Sequence, residues 1–82
     1  MFRRQMIEIR LDGMHMNIEL NNLIRRVNKC PFVRIDCMHF YDGYNNSARI
    51  IVSSPFRSMM CWFYVNEQQK FNTLKNRNIT WL

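Results

Sequence analysis

Ser47-Ala48-Arg49-Ile50-Ile51-Val52 is the stretch whose reading decides the fold. It reads as a central strand: alternation puts Ala48, Ile50 and Val52 on one face and Ser47, Arg49 and Ile51 on the other. The first set has the character of a core. The second carries an arginine and no aromatic ring, and the function turns on what that face can hold.

Upstream of this strand, Asp42-Gly43, flanked by Tyr41 and Tyr44, is a turn signal. Residues 32–40 therefore read as the antiparallel hairpin partner. Val33, Ile35 and Cys37 share one face there, Arg34, Asp36 and Met38 the other, and the phase blurs at His39-Phe40. Residues 5–11 alternate cleanly, with Ile7, Ile9 and Leu11 opposed to Glu8 and Arg10, until Asp12-Gly13 breaks the run. A helix follows, with Asn17 expected as its cap and Glu19 in its first turn. Met16, Leu20, Leu23, Ile24 and Val27 form its apolar stripe, and Arg25, Arg26 and Lys29 lie in its last turns before Pro31 ends it.

Downstream, Ser54-Pro55 opens a second helix, and Phe56, Met59, Met60 and Phe63 fall at helical spacing as its core stripe. The same segment has strand character, since Met59 to Val65 is continuously apolar and Trp62 to Val65 suit a strand. The Ser-Pro opening and the polar run 66–70 favour the helix. Residues 72–77 read as a polar connection. Asn78 to Leu82 then form a short strand with Ile79 and Trp81 on one face.

Eighty-two residues bound the chain to one small domain, and an end inside the last strand suits a domain cut from a longer protein. Twelve Lys and Arg against six Asp and Glu leave a net charge of +6, which favours polyanionic partners or simply a basic solvated surface. Cys30, Cys37 and Cys61 are too few and too widely spaced for a disulfide framework or a zinc motif. They read as reduced thiols of an intracellular protein of cytoplasm or nucleus, with Cys37 and Cys61 as small buried hydrophobes. Met1-Phe2-Arg3-Arg4 does not read as a signal peptide, and no apolar run approaches the roughly 20 residues of a membrane helix. His15 and His39 have no partner at ligand spacing, so neither metal nor other cofactor is expected. A phosphate-binding loop, a paired-carboxylate motif and a nucleophile with its base are all missing from the pattern, so neither an enzyme nor a small-molecule substrate is expected. Acylphosphatase-like enzymes share the element order but carry a glycine-rich loop after strand one that this sequence lacks.

The order strand, helix, strand, strand, helix, strand is that of an α+β, ferredoxin-like βαββαβ fold, expected as a four-stranded antiparallel sheet with two helices on one face. Within that class the chain resembles an RNA recognition motif (RRM) over nearly its whole length. Ile7-Glu8-Ile9-Arg10-Leu11 falls where the family's RNP2 motif lies, and Asn46-Ser47-Ala48-Arg49-Ile50-Ile51-Val52 where RNP1 lies, with Ala48 at its small-residue position. The helix-one stripe and the Asp42-Gly43 turn also look like the family. Typical members stack bases on aromatic residues of strands one and three. The corresponding positions here are Glu8, Ser47 and Arg49, so the resemblance implies a non-canonical member. Each missing aromatic forgoes about 1–3 kcal/mol of stacking.

Two site readings follow. The second helix carries more apolar residues than one stripe needs, so Met59, Met60, Trp62 and Tyr64 are expected at an interface with a protein partner or a second copy, in an RNA-processing or small-RNA complex. The alternative is direct binding of single-stranded RNA through Arg10, Arg34 and Arg49, with Tyr41 or Tyr44 stacking. Against that alternative, Glu8, Arg10, Arg34, Asp36 and Arg49 also suit an ordinary solvated face with cross-strand ion pairs.

Overall fold

The computed structural model of the chain describes residues 3–41, 47–71 and 77–82. The elements follow the expected order: β1 (Gln5–Asp12), α1 (Met16–Lys29), β2 (Arg34–Tyr41), β3 (Ser47–Ser54), α2 (Arg57–Phe71) and β4 (Arg77–Trp81). The strands form one antiparallel sheet in the order β2-β3-β1-β4, which with the two helices makes an α+β ferredoxin-like fold. The expected turn at Asp42-Gly43, Tyr44, and residues 72–76 of the expected connection lie outside the described residues.

Alternation becomes register at the centre of the sheet. Ile7 pairs with Val52, Ile9 with Ile50 and Leu11 with Ala48 across β1 and β3, and Ile9 meets Ile79 across β1 and β4. All of these side chains are buried, together with Met16, Leu20, Leu23 and Val27 of α1 and Met60 and Phe63 of α2. The core is therefore the single layer between the sheet and the two helices. Gly13, at φ 97°, supplies the left-handed residue that turns the chain out of β1, and its carbonyl accepts the Met16 amide at 3.2 Å.

Several local details differ from the sequence reading. Residue 15, not Asn17, precedes α1, and no side chain caps the helix; Asn17 is an exposed residue inside it. In β2 a bulge lies between Ile35 and Cys37, so Ile35 pairs with Val52 but Cys37 with Ile51. The extra residue reverses the phase of everything after it. Cys37, His39 and Tyr41 move to the open face, while Met38 and Phe40 turn to the helix side yet stay exposed on the edge strand. Cys37 and Cys61 are half-buried; the buried thiol is Cys30. Ile51 lies on the open face but is buried, paired with Glu8 and Cys37.

Residues 57–71 are helical, which resolves the helix–strand ambiguity. The Ser54 hydroxyl oxygen accepts the Phe56 amide at 3.1 Å, so the serine does organise the entry, but Pro55 and Phe56 precede the helix. Phe56 is consequently not on the core stripe; it is exposed and meets Phe32 edge-on at 5.0 Å. Phe32 holds φ 65°, a costly conformation for a residue with a Cβ, in a tight Cys30–Val33 turn with Pro31 at its second position.

Truncating the centre of this layer should be expensive. We expect Ile50→Ala to cost about 2–5 kcal/mol in urea unfolding. Asn17→Ala should change stability by less than about 0.5 kcal/mol, because no cap is lost; a loss above about 1 kcal/mol would restore Asn17 as the cap.

Candidate functional site: the groove between the helices

Ion pairs organise the open face of the sheet. Register places Arg10 directly opposite Arg49, a repulsive arrangement by itself. Glu8 resolves it by accepting hydrogen bonds from Arg49 Nε and, at 3.2 Å, from Arg10 Nε. Burial works to raise the Glu8 pKa, but the two arginines outweigh it and hold the carboxyl below its ordinary value. The same hydrogen bond raises the pKa of Arg49. At the bulge, Arg34 Nε donates to Asp36 at 2.6 Å. There too burial opposes ionisation, and the Ser53 hydroxyl, Arg34 and Arg4 together lower the Asp36 pKa. A small recess of about 60 Å³ remains among Arg10, Asp12, Tyr41, Ser47 and Arg49. Among the described residues the open face therefore presents ion-paired side chains with a surplus of arginine and two exposed rings, His39 and Tyr41; Tyr44 lies outside the described residues.

The helical side is different. A groove of about 540 Å³ opens between the end of α1 and the outer face of α2. Cys30, Pro31, Met59, Trp62 and Phe63 give it an apolar lining. Trp62 is 59% exposed, and Phe32 and Phe56 are exposed beside Pro31 and at the entry to α2. Burial pushes the Cys30 thiol up, which leaves it a poor nucleophile.

One wall of the groove is an ion pair. Arg26 of α1 donates from Nε to Glu67 Oε1 at 2.6 Å and from Nη2 to Oε2 at 3.0 Å. Glu67 is only 1% exposed, so this is a two-pronged, charge-assisted bridge between the helices. An ion pair between strand and helix, Arg77 Nε of β4 donating to Glu19 Oε2 of α1 at 3.0 Å, lies elsewhere. By sequence, Arg26 is one of the cations in the last turns of the first helix and Glu67 belongs to the polar run 66–70. The available signal was spacing: Glu67 follows Met60 by seven and Phe63 by four, a carboxylate on the apolar stripe.

Of the four expected interface residues, the structure brings Met59 and Trp62 together at the groove. Met60 is a correction: at 0% exposure it belongs to the core and cannot meet a partner. Tyr64 is also displaced, since residues two apart on a helix point to different sides. It is half-buried and packs on Trp81 at 5.1 Å, with Arg57 stacked over the same indole at 5.4 Å. Among the described residues no helix is long and apolar enough to cross a membrane, and no cluster of three metal-ligating side chains forms.

The bridge should respond asymmetrically. Arg26→Met strands a buried carboxylate and should cost about 3–5 kcal/mol in urea unfolding. Glu67→Leu leaves an arginine whose side chain already reaches water and should cost clearly less. On the sheet face, Glu8 and Asp36 have folded pKa values below their ordinary ones, so their contribution to stability is full above about pH 4.3 and is lost as the pH falls through the lowered values. Thermal melts from pH 5 downward should show a falling Tm. Glu8→Gln should start lower at pH 5 and fall less steeply.

Neither a protein-family model, nor a curated protein, nor a solved structure matches this chain.

Proposed function

We propose that this chain is a non-canonical RRM-like protein-interaction module of an intracellular RNA-processing or small-RNA complex. It holds a protein partner, or a second copy, against its helical side and performs no chemistry. The observation that carries this reading is Trp62, a large ring 59% exposed at the lip of an apolar groove of about 540 Å³. Exposed aromatic and methionine side chains gathered around a concavity are the composition of interface cores. The sheet supports the same conclusion from the other direction. The family's base-stacking positions carry Glu8, Ser47 and Arg49, and Glu8 holds both Arg10 and Arg49.

A second reading, direct contact with single-stranded RNA, is favoured by one feature: the recess that gathers Arg10, Arg49 and the exposed Tyr41. Arg34 would extend that path along β2.

The two readings separate in one pair of experiments. Cross-linking in cells followed by mass spectrometry should place protein cross-links at Lys29 and Lys70, which flank the groove, and light scattering of the purified domain reports any self-association. Trp62→Glu should remove the cross-links, or convert an oligomer to monomer, while Arg49→Glu leaves them. Cross-links unchanged by Trp62→Glu would overturn the docking reading. Salt-sensitive binding of a labelled single-stranded RNA, weakened at least about tenfold by Arg49→Glu, would establish the second reading instead.

A further inference from the structure

The occupant of the groove is specified by its rim. We infer that it takes an acidic amphipathic segment of a partner protein, with apolar side chains seated against Met59, Trp62 and Pro31 and carboxylates meeting the cations around them. This rests on the docking reading and names the partner's chemistry.

Size and charge carry the argument together. The groove, about 540 Å³, lies within the range of about 300–1,000 Å³ typical of sites that enclose a ligand, and its walls are mainly apolar. It therefore suits a few large apolar side chains better than a phosphate backbone. Its charged lining is Arg26, Lys29, Lys70 and Glu67. Glu67 is sealed from solvent and matched by Arg26 through two hydrogen bonds. On the α1 side of the rim what faces outward is accordingly cationic. Lys29 is exposed and forms no ion pair among the described residues, and Arg25 is exposed one turn earlier on α1. The whole chain carries +6, so the long-range field draws an anionic segment in.

The same accounting rejects other occupants. A basic segment would bring like charge to the rim. A second copy docked groove to groove would oppose Lys29 to an identical cationic rim, because a two-fold interface is made of the same patch twice.

The test uses the intact domain and three fluorescein-labelled probes read by anisotropy. Two are helical peptides with the same leucine and tryptophan face, one with glutamates and one with lysines on its polar face; the third is a uridine oligomer. The glutamate peptide should bind, weaken several-fold between low and moderate salt, and lose at least about tenfold with Trp62→Glu. Lys29→Glu, a surface change that leaves the apolar lining whole, should weaken the glutamate peptide and improve the lysine peptide. Equal binding of both peptides, abolished by Trp62→Glu, would overturn the acidic partner while leaving the docking reading intact. Binding of the glutamate peptide that Trp62→Glu does not change would overturn both. Binding of neither peptide, binding of the lysine peptide alone, or Trp62-dependent binding of the uridine oligomer alone would overturn the inference as well.

Discussion

The pairing of β1 with β3 in a single register is the constraint from which both faces of this sheet follow. It sets Ile7 against Val52, Ile9 against Ile50 and Leu11 against Ala48 on the side the helices cover. Each large aliphatic side chain buried there contributes about 1.5–3 kcal/mol of transfer free energy. A slip of β1 by one residue would expose Ile7, Ile9 and Leu11 and bury Glu8 and Arg10 in their place. Burying those charges would cost several kcal/mol each, so the hydrophobic pattern enforces the register. The register in turn determines which charges meet on the open face.

Those charges account for the balance of the two surfaces. Arg10 and Arg49 come face to face because the apolar residues between them demand it. Glu8, their neighbour on β1, is the group that makes the arrangement tolerable. A carboxylate committed in this way competes with any phosphate for the same arginines. Glu8 thus ties up part of the positive charge of this face without cancelling it, and exposed apolar surface lies on the other side, around Trp62 and the Phe32–Phe56 pair. Phe32 keeps its ring there despite a backbone conformation that favours glycine.

Element order, the face of each central strand and the α1 stripe were legible in the sequence because periods of 2 and 3.6 are strong and long in those segments. The failures share a cause: each depends on a tertiary partner. The bulge after Ile35 adds one residue to a strand, and only the blurred phase at His39-Phe40 betrayed it. Asn17 is a good cap by composition, yet the turn through Gly13 starts α1 two residues earlier. In α2, apolar residues surround the helix, so spacing could not tell Met60, in the core, from Met59 and Trp62 at the groove. Tyr64 looked like a spare aromatic until Trp81, seventeen residues later, proved to be its partner.

The bridge between Arg26 and Glu67 shows why the groove persists as an open feature. Two helices that meet only through apolar side chains approach until those side chains interlock, because hydrophobic burial has no direction and rewards any closer contact. A guanidinium fork on a carboxylate has a fixed geometry. At 2.6 and 3.0 Å the fork is fully engaged, and closer approach would break it. Breaking it would strand a carboxylate that is only 1% exposed, a larger penalty than one apolar contact repays. The ion pair thereby sets a distance, and the apolar surface of Met59, Trp62 and Phe63 stays beside it, unable to close against α1 and available to a segment from outside.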